Sequence, residues 1–272
     1  MIAGRYQLVF FYFTVLSFAA VSTSLFFDFP LIILSPLVLA TLYFAIFYLN
    51  YVFEFIVFCT PLSINFEKLG DYGDIGFYVP TEPLLLGVTG LIIVRTLVKN
   101  RMPLSLLSHP VSMALLFYLL WTFITCLTST DIIVSLKFFL SKLWFVLPIF
   151  YFGLVYFQSS KKIKRFLWFY VASLSMVVLY TLIRHGLNSF GEDQGHWVMT
   201  PFFKDHTSYG AVLALTFPVI CGLFKLSKDG VERSLLGLLI AIFSAGIFFS
   251  YTRAAYLSLA GALVLYLIIK YK

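Results

Sequence analysis

The stretch Phe248-Phe249-Ser250-Tyr251-Thr252-Arg253-Ala254-Ala255-Tyr256 joins two long apolar runs, 234–250 and 253–270, with almost no loop between them. Each run is of the length that a helix needs to cross the roughly 30 Å hydrocarbon core of a bilayer. A guanidinium at the edge of a bilayer is costly, and it does not deprotonate to escape the cost. The pattern therefore predicts a hairpin of two membrane helices with a fixed cation at its tip, facing a membrane-bound anion.

Outward from this hairpin the composition points the same way. The chain has 272 residues, of which 61% are hydrophobic and 11% charged, and its mean hydropathy is +0.97. A soluble domain carries about 25% charged residues. The sequence thus predicts an all-α, polytopic transmembrane bundle. The 32 Phe and 17 Tyr suit lipid-facing surfaces and interfacial belts. The net charge of +7 reads as cytoplasmic loop charge rather than nucleic-acid binding. Cys59, Cys126 and Cys221 lie in or beside apolar spans without metal-type spacing, and read as small buried hydrophobes. Residues 6–27 are apolar for too long to be a cleavable signal peptide.

Apolar runs predict about ten spans, near 7–27, 31–48, 51–63, 83–98, 111–128, 137–157, 166–184, 207–224, 234–250 and 253–270. The run 51–63 is short, contains Glu54 and ends at Pro61. Basic loops at 95–101, 161–165 and 225–233 alternate with acidic or mixed segments at 67–82, 131 and 192–205. The positive-inside rule puts the first set in the cytoplasm and the second outside. Ten crossings then leave both termini cytoplasmic, with Arg5 inside and Arg253 on the outer face. No soluble domain or repeat interrupts the chain.

Four other features share that outer face: the pair Arg184-His185, the loop 186–206, the sequence Lys204-Asp205-His206, and the helix start that follows. Asp205 or Thr207 is suited to cap that helix, and exposed N–H groups at such a terminus attract anions. Each residue also has a plain structural reading. Lys204 and Arg253 read equally as snorkelling cations, His196 as a solvated loop residue, and His206 as a capping-region histidine. Arg184 and His185 read as complements to a helix C-terminus. Spacings among His185, His196 and His206 match no metal-ligand pattern. Ser208 and Ser250 lack a nucleophile-elbow context. The membrane-embedded acids are few, Glu54 and Asp131, so the ionisable residues gather at one face rather than along a transport path.

Two stretches resemble a known family. Phe202-Phe203-Lys204-Asp205-His206-Thr207-Ser208-Tyr209-Gly210-Ala211-Val212-Leu213-Ala214-Leu215, followed by Pro218, resembles the loop-to-helix motif of the O-antigen ligase/polymerase superfamily. Ser250-Tyr251-Thr252-Arg253-Ala254-Ala255-Tyr256-Leu257-Ser258-Leu259 resembles that family's Thr/Ser-Arg-Gly/Ala helix start, at a fitting separation of about 40 residues. The resemblance implies a GT-C-like membrane glycosyltransferase of the bacterial inner membrane with a periplasmic active face. It would take a glycan from an undecaprenyl-pyrophosphate carrier and pass it to lipid A-core, a growing polysaccharide or a protein, with no cofactor and no metal. Arg253 and His206 would then be the catalytic residues, Arg253, Lys204 and Arg184 the pyrophosphate ligands, and Asp205 a support that holds the His206 tautomer. The family's general base is expected beyond residue 272, which reads the sequence as the N-terminal portion of a longer enzyme. A flippase or transporter of a lipid-linked or anionic substrate, and a non-enzymatic scaffold, are the competing readings.

Overall fold

A computed structural model describes residues 11–12, 14–23, 48–65, 78–99 and 109–271. The expected span 31–48 lies outside these residues except at its last position, as do parts of 7–27, of the loops at 64–82 and 95–101, and both terminal basic residues, Arg5 and Lys272.

The protein is an all-α, multi-pass membrane protein. Ten helices are described: α1 (Thr14–Thr23), α2 (Leu49–Cys59), α3 (Thr81–Lys99), α4 (Pro110–Leu127), α5 (Ile132–Tyr156), α6 (Ser160–Leu187), the single turn α7 (Glu192–Gly195), α8 (His206–Leu226), α9 (Gly230–Phe248) and α10 (Arg253–Tyr271). Six of them, α4, α5, α6, α8, α9 and α10, are long and apolar enough to cross a bilayer. The shorter apolar helices are Thr14–Thr23, Leu49–Cys59 and the Thr81–Val94 part of α3. With 11 residues, α2 rises only about 16 Å, half the hydrocarbon thickness. Its chain turns at Thr60–Leu62 and enters a two-residue antiparallel ribbon, β1 (Ile64–Asn65) with β2 (Tyr78–Val79).

The helix starts follow from local chemistry. Asp131 caps α5 by accepting the Val134 N–H at 3.1 Å. It is therefore an exposed helix cap, and not the membrane-embedded acid that the sequence suggested. Asp229 caps α9 by accepting the Glu232 N–H at 3.0 Å. Pro110 sits in the first turn of α4, where a missing N–H costs nothing.

Two clusters form the core. In one, α6, α8 and α9 meet through Val171, Leu174, Val178, Tyr209, Leu213, Leu236 and Phe243, and the loop residues Val198 and Met199 plug its upper end. In the other, α2, α3 and Tyr156 of α5 pack around Phe53 and Ile56. Glu54 is buried there. The Tyr156 hydroxyl donates to its Oε1 at 2.5 Å and Arg165 Nη1 does so at 3.2 Å. Glu54 is thus part of a buried, partnered network between α2, α5 and α6.

Contacts along the helices sort the loops between two ends. Lys164–Glu232, Arg165–Glu54 and the Lys225 ammonium bonded to the Tyr266 hydroxyl gather the lysine-rich segments at one end, called here the basic end. The 186–206 loop and the 249–252 turn meet at the other. α10 lies outermost, against α8, with Ala255 as its buried side chain.

α6, α8 and α9 approach most closely at Gly246. A Cβ there would sit 2.8 Å from Val178 Cγ1 and 3.2 Å from both Leu213 Cδ1 and Tyr209 Oη. Overpacking of this kind costs about 1–3 kcal/mol. Gly246→Ala is expected to lower the thermal midpoint of the detergent-purified protein, whereas Gly222→Ala, which meets nothing within 4 Å inside α8, leaves it no lower, since alanine is the better helix former. An equal midpoint for both variants would show that these three helices are not packed this tightly.

Candidate functional site

The site is built where the start of α8 meets the turn between α9 and α10. Asp205 is the N-cap of α8. Its Oδ1 accepts the Ser208 N–H at 2.7 Å and its Oδ2 accepts the Ser208 hydroxyl at 3.0 Å. The Ser208 N–H, more than any other group, holds the Asp205 carboxyl below its ordinary value. Asp205 is therefore committed to the cap.

His206 begins the helix, half-buried. Its Nδ1 lies 3.0 Å from Nδ1 of His196, with ring centroids 4.2 Å apart. One nitrogen must carry the bridging proton and the other must lack it. The His206 tautomer is thus coupled to that of His196. The carboxylate of Asp205, given the task of holding that tautomer on sequence grounds, is instead bonded to Ser208. Nothing in the spacing of His196 announced the pairing, because the loop between the two histidines folds back through its own turns.

The turn docks on this helix start by close packing and one hydrogen bond. The Thr252 hydroxyl, buried, donates to the His206 carbonyl at 3.0 Å. A Cβ on Gly210 would come within 2.8 Å of Thr252 Cβ, so the backbones approach at a distance that only glycine permits. Tyr251 has φ 50°, the left-handed region, which costs a non-glycine residue about 1–2 kcal/mol. Its side chain holds it there. The hydroxyl donates to the Phe190 carbonyl at 3.0 Å, and the ring lies 6.1 Å from that of His185. Phe190 stacks on Phe249 at 4.6 Å. These contacts set the direction in which the next residue, Arg253, leaves the turn.

Arg253 is the first residue of α10 and is exposed. It is one residue from the group bonded to His206. The two ion pairs among the described residues, Lys164–Glu232 and Arg165–Glu54, both lie at the basic end. No carboxylate among the described residues neutralises Arg253.

Lys204 is exposed two residues before His206. Together with Phe202, Phe203 and Ser208 it lines one side of a groove of about 500 Å³, whose far side carries Thr60, Ser63 and Glu82. Arg184 is placed differently. Its Nη1 donates to the carbonyls of Thr200 and Val198 and to the Thr200 hydroxyl, and its guanidinium stacks over Trp197 at 4.9 Å. It staples the 197–200 loop to the end of α6. His185 is buried, with Nε2 2.8 Å from the Gly191 carbonyl. Arg253, His206 and His196 are therefore linked through the Thr252–His206 and His196–His206 contacts, Lys204 lines the groove beside the same helix start, and Arg184 and His185 hold the loop that carries His196. Among the described residues, no group of three or more His, Cys, Asp or Glu is arranged to hold a metal ion.

The chain matches no protein-family model, no curated protein and no solved structure.

Two stability measurements test this geometry. Thr252→Val removes the hydroxyl that meets the His206 and Ser250 carbonyls and is expected to cost about 0.5–1.5 kcal/mol, with Thr252→Ser largely restoring it; equal midpoints for all three proteins would refute the contact. Asp205→Ala is expected to cost about 1 kcal/mol at neutral pH. Because the folded carboxyl titrates lower than the unfolded one, its contribution is present above the unfolded value, near pH 3.9, and is lost as pH falls through the folded value. The gap between wild type and Asp205→Ala should close below about pH 4 in thermal unfolding.

Proposed function

We propose that the protein is a membrane glycosyltransferase of the O-antigen ligase/polymerase type, which takes a glycan from an undecaprenyl-pyrophosphate carrier at the membrane face opposite the lysine-rich loops. The observation that carries the reading is the meeting of the two motif stretches. Residues about 40 apart in sequence are joined by the Thr252–His206 hydrogen bond and by the close approach at Gly210. Arg253 and the imidazole pair thereby flank one contact, Lys204 stands two residues before His206, and Arg253 forms no ion pair among the described residues.

In this reading Arg253 binds the diphosphate. As the sugar–phosphate bond breaks, negative charge grows on the leaving pyrophosphate, and the guanidinium offers paired donors to its oxygens. Lys204 is a second, point-charge contact. His206, held by His196, binds a phosphate oxygen or orients the acceptor hydroxyl. Arg184 supports the site through the 197–200 loop. The acceptor is lipid A-core or a growing polysaccharide, no cofactor is required, and the full topology is a GT-C-like bundle of ten crossings in the bacterial inner membrane, with both termini cytoplasmic and the active face periplasmic.

The carrier reading draws on Glu54 as an intramembrane acid. That residue is bonded to Tyr156 and Arg165 near the basic end, which fits a structural tie better than a substrate path.

The test pairs binding with transfer. Arg253→Ala should weaken binding of undecaprenyl pyrophosphate to the purified protein and lower glycan transfer in membranes by about 100-fold or more, the scale for loss of one well-placed donor to a developing oxyanion. Arg253→Lys should recover only part, because an ammonium lacks the planar fork. Undiminished binding and transfer in Arg253→Ala would overturn the proposal.

A further inference from the structure

The basic end carries a second feature, independent of the transferase reading. α6 opens with Lys161, Lys162, Lys164 and Arg165, and its first turn has no acidic residue. A helix N-terminus already carries partial positive charge, so cations there are disfavoured unless an anion offsets them. Glu232 meets Lys164 at 2.7 Å, but it also accepts the Trp168 indole N–H at 3.0 Å and the Ser227 hydroxyl at 2.8 Å. Glu54 meets Arg165 at 3.2 Å while accepting Tyr156. Both carboxylates are shared, and Lys161 has no carboxylate partner among the described residues.

Lys161, Lys164, Arg165, Trp168, Phe169, Ala172 and the Lys164-paired Glu232 line an open depression of about 470 Å³. The lining is graded along the helix: cations first, then an indole, then a phenyl ring and a methyl group. From 161 to 172 the helix rises about 16 Å, which passes from the headgroup layer into hydrocarbon. Lysine has three N–H donors and arginine five, so the glutamate contacts leave Lys164 and Arg165 with donors to spare.

We propose that this depression binds an anionic phospholipid of the leaflet at the basic end. Lys161, Lys164 and Arg165 hold its phosphate, Trp168 packs against the glycerol, and an acyl chain runs along Phe169 and Ala172. A soluble phosphate would use the three cations but not the apolar floor, and a zwitterionic lipid would not relieve the excess positive charge.

Native mass spectrometry of the full chain, titrated with phosphatidylglycerol or with phosphatidylcholine of the same chains, tests this directly. Phosphatidylglycerol should bind more tightly. Lys161→Gln should weaken it about fivefold, at the ~1 kcal/mol expected per juxtamembrane cation, and Lys161→Gln with Arg165→Gln roughly 25-fold. Lys270→Gln, on α10 at the same end but outside the depression, should leave it unchanged, and millimolar inorganic phosphate should not displace the lipid. Equal affinity for the two lipids, equal weakening by Lys270→Gln, or displacement by inorganic phosphate would each overturn the proposal. Arg165 ties down the buried Glu54, so if the double variant does not fold, Lys161→Gln against Lys270→Gln decides.

Discussion

The molecule turns on the clasp between the α9–α10 turn and the start of α8. Lipid is as apolar as the helices themselves, so no hydrophobic force draws two spans together, and close packing with interhelical hydrogen bonds must do so. Here the clasp consists of one threonine hydroxyl on one carbonyl and a backbone approach that leaves no room for a methyl group on Gly210. At its other end α10 is tied to α8 by the Lys225 ammonium on the Tyr266 hydroxyl, and Ala255 is its buried side chain. The clasp that fixes the start of α10 also fixes Arg253 relative to His206.

Charge is handled in opposite ways at the two ends. At the basic end, Lys164 and Arg165 reach across to glutamates on other helices, and Trp168 and Ser227 add further bonds to Glu232. At the other end one carboxylate, Asp205, is turned into its own helix cap, and the imidazoles bond each other. Arg184 spends its Nη1 on carbonyls rather than on an acid. Arg253 and Lys204 are both exposed there, and Arg253 forms no ion pair among the described residues.

The sequence revealed the fold class readily, because long apolar runs punctuated by charge admit few alternatives in a bilayer. The capping role of Asp205 was also legible, from an acid placed one residue before an apolar period. Other features were not. Tyr251 takes a left-handed backbone that no tyrosine advertises, and it does so because Phe190 and His185, some sixty residues earlier, receive its side chain. The pairing of His196 with His206 depends on the path of a ten-residue loop, which periodicity does not encode. The family resemblance implied a ligand role for Arg184; only the fold of the 197–200 segment reveals the carbonyls that its Nη1 meets. Span counting was hardest at α2, where 11 residues carry a carboxylate and fall short of a full crossing.

That short helix bears on how the protein is made. Glu54 finds its partners 102 and 111 residues further along the chain. When the segment around it leaves the ribosome, neither Tyr156 nor Arg165 yet exists. An acid without a partner in an apolar layer is costly, and Glu54 has neither of these partners at that stage. The buried Glu54 network therefore closes only when α5 and the start of α6 have been made, so an early segment of the chain is completed by later ones.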